Sequence, residues 1–379
     1  MHLKSNSMQL SAKERRWLPW FGINGKLSLG WSCFVNRSMY PAVEQTFEGI
    51  AATRVKLLQN WTNNQWQHLV STANIIDIND LTACNNVIQD SLKSAQDISE
   101  LFIIDTQGKI LTSTHDLRIN FHHGEQKAIE QALQGQFLHG PYADPETLTI
   151  GPSSSHFHDE VTLMFYQPIV DDDKIVGFLC ARVPNDVLGD LIQREAGHVY
   201  RESGDNYLFM VESRFDPQVK QGIALSRSRF EDNTFSHGEN LKSGVHTKFG
   251  VVKVAKHTEL EVRFTDPATG ELHPGVRETI KNGHNLFVTY PAYSDYRHIP
   301  VIGKGVTFKL HGSLDTWGMM CEGDLEEVYR RRSINFALLK TYFAMTTSVV
   351  GLNIGLLHYT DLSLMTSSLI TGAGVLVSG

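Results

Sequence analysis

The chain has 379 residues, of which 41% are hydrophobic and 20% charged, and this composition supports two or three compact units. A formal net charge of -7, without a long basic stripe interleaved with aromatics, argues against a polyanion-binding or nucleic-acid-binding class. The four cysteines lie far apart without metal-ligand spacing, so neither a zinc site nor a disulfide scaffold is predicted.

Residues 1–40 are a candidate membrane or interfacial segment. The stretch 17–35 is apolar and aromatic, but Pro19, Asn24 and Lys26 interrupt it. A cluster of cations precedes it, as in the charged region of a signal or anchor sequence. The pattern predicts either an anchor or a tryptophan-rich segment at a membrane surface, and the sequence leaves both open.

The clearest helix covers residues 41–73. Pro41 suits a first helical turn, and apolar residues such as Val43, Phe47 and Leu58 recur at a spacing of three to four residues. This periodicity predicts one long amphipathic rod, which is called the stalk helix below. Periodicity alone also allows a helix packed on some other kind of sheet.

Two similar sheet units follow, one over residues 74–200 and one over 201–332. Strands are predicted in the first unit at 101–105, 110–114, 161–170 and 174–183, and in the second at 207–212, 222–226, 285–290, 300–309 and 315–321. A helix at 126–133 and a helical connector at 185–200 complete the pattern. The repeated order predicts an α+β fold with two tandem PAS-like antiparallel sheets.

Residues 334–357 are predicted to form a transmembrane helix. The chain is uncharged from Thr341 to Leu357, a length that crosses most of a hydrocarbon core of roughly 30 Å if Lys340 extends toward the interface. Residues 358–379 form an apolar tail, interpreted either as a second short span or as a frayed end.

The order of these segments resembles a known family. The stalk sequence from Gln45 to Trp61, the strand Pro300-Val-Ile-Gly and the pair Trp317-Gly are similar to the double Cache (dCache) sensor domain of bacterial methyl-accepting chemotaxis receptors. The resemblance covers residues 42–332 and lacks the cytoplasmic signalling part of such receptors.

This resemblance implies the ligand-binding sensor region of a transmembrane chemoreceptor, with the first unit distal and the second proximal to the membrane. It further implies a homodimer through the stalk helix, an inner-membrane location with a periplasmic or extracellular sensor region, and a signalling partner that supplies the missing output domain. The input domain of a sensor kinase or diguanylate cyclase is one alternative. A membrane-anchored solute-binding module without signalling output is another.

The sequence contains none of the common catalytic, zinc-binding or nucleotide-binding motifs. There is no GxSxG, HExxH, GxxxxGK[ST] or GxGxxG motif, so neither an enzyme nor a cofactor is predicted. Histidines cluster around His122, His139, His156 and His158, and a His-x-His pair on a strand could hold a divalent metal. Solvated histidines in a polar loop are the favoured interpretation.

In dCache receptors, small solutes usually bind in the distal unit, above the sheet and below its loops. The resemblance places the following residues at that site: Arg118, His122, Tyr142, Asp144, His158, Tyr166 and Arg182. The amino-acid-binding pattern of the family fails at two positions, because the helix begins Gln126-Lys-Ala-Ile and Arg182 stands where the pattern has an aspartate.

A guanidinium binds carboxylates and repels ammonium groups, so Arg182 predicts a small anionic solute. The alternative is that Arg182 pairs with Asp144, Asp186 or another local acid. In the second unit, the distinctive stretches 226–230, 273–280 and 290–297 are interpreted as loops that brace the unit, with a second pocket as the alternative.

Overall fold

The computed structural model describes residues 8–22, 25–150, 154, 159–193, 199–227, 243–247, 250–266, 268–330 and 334–378. The helices are α1 (Lys26–Val35), α2 (Tyr40–Ala73), α3 (Leu81–Ser94), α4 (Gln126–Ala132), α5 (Glu146–Thr149), α6 (Asp186–Gln193), α7 (Pro274–Asn282), α8 (Leu325–Val328), α9 (Ile334–Tyr359) and α10 (Leu364–Ser378). The strands are β1 (Glu100–Asp105), β2 (Ile110–Ser113), β3 (Phe137–Ala143), β4 (Val161–Asp171), β5 (Lys174–Pro184), β6 (Asp205–Glu212), β7 (Val245–Thr247), β8 (Gly250–Val252), β9 (His284–Phe287), β10 (Tyr293–Ser294), β11 (Pro300–Phe308) and β12 (Thr316–Asp324).

The sheets of the first and second units are called the distal and the proximal sheet below, after the positions that the resemblance implies. The distal sheet is antiparallel and has the strand order β2-β1-β5-β4-β3. Successive side chains on a strand point to opposite faces, and on β1 Leu101 and Ile103 belong to the core beside α2 whereas Phe102 belongs to a separate cluster on the other face. The register sets Glu100 opposite Arg182 at one end of the β1–β5 pair. The side chains of Glu100 and Arg182 lie on the sheet face away from the stalk helix.

The proximal sheet has the order β10-β11-β12-β6, with β9 also paired to β11. On β6, Leu208 and Met210 pack into the core shared with α2, while Tyr207 and Phe209 pack on the opposite face. The predicted α+β fold with a long helix and two antiparallel sheets is confirmed.

The stalk helix α2 connects the two sheets because one of its faces is buried along most of its length. Phe47 stacks on Tyr200 beside the proximal unit, with ring centroids 5.3 Å apart. Farther along, Trp66 meets Phe165 of the distal sheet edge-on at 5.0 Å, and its indole nitrogen donates to the carbonyl of His311 at 2.9 Å. The helix therefore contacts both units directly.

Some local predictions were wrong or incomplete. Residues 222–226 form two isolated bridges instead of a strand. Ile223 pairs with Arg263, whereas the next residue, Ala224, pairs with Phe209, so no continuous ladder to one neighbour forms. Helix α3 and strand β3 were not predicted from the sequence. Helix α3 begins where the Asp80 carboxylate accepts hydrogen bonds from two backbone amides of its first turn.

The prediction of a transmembrane helix over 334–357 needs correction. A helix is present there as α9, but among the residues that the structure describes no helix has both the length and the apolar character needed to span a bilayer. Lys340, Asn353 and His358 explain this, since charged and polar groups lower the mean hydropathy of the helix. Helix α10 returns beside α9, and the Asn353 amide donates to the Thr371 hydroxyl at 3.1 Å.

Helix α1 packs on the end of the proximal unit. Leu29 and Cys33 are buried, and the Ser32 hydroxyl donates to the carbonyl of Tyr329 at 2.7 Å. On the outer side Trp31 and Phe34 are about half exposed. The interfacial role expected for residues 1–40 stays a prediction.

Candidate functional site

A cavity of about 530 Å³ opens at one end of the distal sheet, on the face opposite to the stalk helix. One wall is the loop that connects β2 to α4, and the other is the end of β3 with α5. The lining residues are His115, Leu117, Arg118, Phe121, His122, His123, Gly124, Glu125, Ala143, Asp144, Pro145, Glu146 and Thr149. Its volume lies within the range of pockets that take small molecules.

A buried ion-pair network forms the base of this cavity. Arg182 is 0% exposed; its Nε lies 3.0 Å from Glu100 Oε2, and its Nη1 lies 2.5 Å from Asp144 Oδ2. The same Nη1 donates to the Thr147 hydroxyl at 2.7 Å. Arg118 also pairs with Glu100 and so joins the network. The network thus ties the neighbouring strands β1 and β5 to the cavity wall.

The Arg182 guanidinium pairs with acids of the protein itself, as the alternative interpretation expected. Glu100 and Asp144 hold its Nε and Nη1, and its Nη2 has no hydrogen-bond partner among the described residues. The side chain is fully buried and does not line the cavity, which argues against Arg182 as the group that binds an anionic solute directly. Burial by itself would raise the pKa of Asp144, but the Arg182 guanidinium outweighs burial and holds that pKa below its usual value. Asp144 is therefore ionised at neutral pH.

The charged groups around the cavity favour positive over negative ligands. Two arginines, Arg118 and Arg182, face four carboxyl groups, which belong to Glu100, Asp144, Glu125 and Glu146. Burial raises the pKa of Glu125, and the nearby Asp144 and Asp216 raise it further. An added cation would relieve the mutual repulsion of these acids, whereas an anion would add to it.

Two buried histidines form a neutral aromatic wall below the cavity. His123 shares a hydrogen bond of 2.6 Å with the Tyr166 hydroxyl, and burial with the nearby arginines lowers its pKa to about 3. His139 stacks on Tyr142 with centroids 4.0 Å apart, and burial lowers its pKa to about 4. Within the described part of the chain, no group of three or more metal-ligating side chains could hold an ion.

The structure brings most of the predicted site residues together. Arg118, His122 and Asp144 line the cavity. Tyr142 donates to Asp144 at 3.2 Å, and Tyr166 and Arg182 lie beneath the cavity. The predicted site residue His158, like the neighbouring His156, lies outside the described residues.

Sequence reasoning missed Glu100, His123, Glu125 and Thr147. The signal for Glu100 was present, because it stands at the head of an otherwise apolar strand, Glu-Leu-Phe-Ile-Ile. A carboxylate in such a strand needs a buried partner.

Solved structures show what the chain is similar to. The ligand-binding domain of chemoreceptor CtaA from Pseudomonas fluorescens, in complex with L-leucine, is 11% identical over 77% of this chain and 99% of its own, with a TM-score of 0.46. The ligand-binding domain of the amino acid chemoreceptor PctB from Pseudomonas aeruginosa, with L-Arg, is 12% identical over 76% of this chain and 97% of its own, with a TM-score of 0.43.

An extracellular ligand binding receptor from Desulfohalobium retbaense is 10% identical over 73% of this chain, with a TM-score of 0.45. The match spans only 40% of that receptor's length. No protein-family model and no curated protein matches the chain. The similar structures are ligand-binding parts of receptors, which is the class named by the sequence resemblance, and at these values they describe a distant likeness.

Proposed function

We propose that the chain is the dCache-type sensor region of a membrane chemoreceptor, positioned outside the cytoplasm, and that it binds a small solute in the distal cavity without catalysing a reaction. The observation that carries the proposal is the open cavity above the Glu100–Arg182 network, at the end of a sheet whose other face rests on the stalk helix. A solute that bridges the two cavity walls would change the position of the strand ends relative to the stalk helix.

The solute that suits this cavity carries an amino group, alone or together with a carboxylate. The ammonium group would lie near Asp144, Glu125 and Glu146, because these three carboxyl groups line the cavity together with a single arginine, Arg118. A carboxylate on the same molecule would share Arg118, which lines the cavity, with the protein carboxylates Glu100 and Glu146. The amino acids named with PctB and CtaA belong to this chemical class.

A thermal-shift screen of the full chain tests this assignment. We expect amino acids or amines to raise Tm and organic acids without an amino group to leave it unchanged, because a ligand at a hundred times its Kd stabilises the folded state by about 2.7 kcal/mol. Replacing Glu125 or Glu146 with glutamine should weaken binding roughly tenfold per lost charged contact.

The matched control is Glu130→Gln, an exposed position on α4 that does not line the cavity. This variant should bind like the wild type. Stabilisation by organic acids alone would overturn the amine assignment and support the anionic solute predicted from the sequence. Ligand binding that both cavity variants leave unchanged would place the binding site elsewhere.

The alternative functions share this cavity and differ in their output. A sensor kinase or diguanylate cyclase input domain should co-purify with, or be covalently part of, that output enzyme. A chemoreceptor should co-purify with a receptor array, and a solute-binding module with neither.

Apolar side chains on α9 and α10, among them Phe343 and Leu369, are exposed, which favours attachment to a membrane.

We also propose a homodimer through the outer face of the stalk helix. The apolar stripe of α2 packs on the chain's own sheets, so the dimer contact would use the small and polar residues on the other face, such as Gly49, Ala52 and Asn60. Sedimentation equilibrium should give a dimer mass, and Ala52→Arg should shift the chain to monomer. Glu130→Arg serves as the control, and a monomeric wild type at all concentrations would contradict the proposal.

A further inference from the structure

The face of the proximal sheet opposite to the stalk helix is covered in part by the start of the segment 8–18, through Met8 and Leu10. The end of the segment packs elsewhere, because Leu18 lies in the core shared with α2. Met8 is 7% exposed and Leu10 is 9% exposed, and both lie in the apolar cluster that contains Tyr207 and Tyr293. The corresponding face of the distal unit carries the open cavity.

Arg277 on α7 holds this segment by two separate contacts. Its Nη1 lies 2.7 Å from Glu14 Oε1, and its Nη2 donates to the carbonyl oxygen of Gln9 at 2.9 Å. The Glu14 side chain is 2% exposed. A guanidinium that binds one carboxylate and one main-chain carbonyl recognises both the sequence and the backbone of the segment.

The segment also has a defined shape of its own. The amide of Ser11 donates to Glu14 Oε2 at 2.6 Å, and the amide of Glu14 donates to the Ser11 hydroxyl at 3.2 Å. This reciprocal pair is a capping box, which fixes a turn between the apolar residues and the acid. The turn presents Glu14 to Arg277 with little further ordering.

Buried and exposed residues alternate along the segment as they do in a bound peptide. Leu18 is buried, and the Trp17 ring lies 4.3 Å from the ring of His298. Between these anchors Lys13 and Arg15 are exposed. Spaced anchors with solvated residues between them are typical of a peptide lying on a preformed surface.

We propose that this face of the proximal unit is a peptide-recognition site and that residues 8–18 are its resident, releasable ligand. The site selects two apolar side chains two residues apart, followed four residues later by a carboxylate. Release uncovers the aromatic cluster around Tyr207 and leaves Arg277 with Glu278 and Glu271 as its acidic partners, so that binding of the segment is coupled to α7 and the adjoining strands. The proposal is independent of the solute that the distal cavity binds.

Hydrogen–deuterium exchange on the full chain in detergent measures release. In the wild type the amides of residues 9–18 should be protected from exchange. Arg277→Met should raise their exchange rate roughly tenfold or more, because a charge-assisted buried contact is lost. Leu10→Asp should do the same by placing a charge in the apolar cluster, and the matched control Lys281→Met, an exposed cation on the same helix, should not.

A synthetic peptide of residues 8–18 supplies the second measurement. Added at millimolar concentration to the Leu10→Asp chain, it should restore protection of α7, since an intramolecular segment competes at an effective concentration on the order of millimolar. The same peptide with Glu14→Lys should not restore it. If Leu10→Asp unfolds the unit, Glu14→Gln carries both measurements, whereas Arg277→Met, which removes the arginine of the site itself, carries the exchange measurement alone. Unprotected amides in the wild type, or failure of the peptide to bind any released variant, would overturn the proposal.

Discussion

Replacing Arg182 with methionine is expected to lower the free energy of unfolding by about 3–5 kcal/mol. The side chain is completely buried, and its removal leaves Asp144 without its 2.5 Å partner and Glu100 with Arg118 and the Ser113 hydroxyl. Methionine fills a similar volume, so the decrease in the free energy of unfolding comes mainly from the carboxylates left without a partner and less from a cavity. Urea denaturation monitored by circular dichroism measures it.

A matched surface variant separates this effect from a general loss of charge. Arg214→Met removes an exposed arginine that lies 3.1 Å from Glu212, and it should cost at most about 1 kcal/mol. Adding Asp144→Asn to Arg182→Met should recover part of the loss, because it removes a stranded charge. Equal destabilisation by the buried and the exposed substitution would show that the network contributes no special stability.

The free energy of unfolding should fall less between pH 7.5 and pH 5 when His139 is replaced with phenylalanine, and the difference from the wild type should be about 2 kcal/mol. Burial lowers the pKa of His139 in the folded state to about 4, whereas an unfolded histidine titrates near 6.5. The unfolded state therefore takes up a proton first as the pH falls, and this group contributes stability that is present above pH 6.5 and is lost toward pH 4. Phenylalanine keeps the stack on Tyr142 and carries no titrating group.

The difference between variant and wild type is the informative quantity, because other groups act in the opposite direction. Burial raises the pKa of Asp324 to about 7, so that carboxyl stabilises the fold as the pH falls below 7. Unfolding curves at several pH values should be compared with the control His284→Gln, an exposed histidine. A variant whose pH dependence matches that of the wild type would show that folding does not lower the pKa of His139.

Sequence by itself determined the elements whose patterns are local. The spacing of Val43, Phe47 and Leu58 predicts the stalk helix, and the apolar runs 101–105, 161–170 and 174–183 predict three strands of the distal sheet, since periodicity of burial is written into neighbouring residues. The cavity residues Arg118, His122 and Asp144 followed from resemblance. Strand β3 lacked a clear period because Gly140 and Pro141 interrupt it.

Only the tertiary structure decided which charges meet. Arg182 pairs with Glu100, which is 82 residues away, and Arg277 pairs with Glu14, which is 263 residues away; no local pattern encodes either contact. The low pKa of His139 likewise comes from burial by packed elements and not from its sequence neighbours. Electrostatic character depends on desolvation and on partners brought together by folding, and for that reason the sequence could not determine that Glu100 and Asp144 are the partners of Arg182.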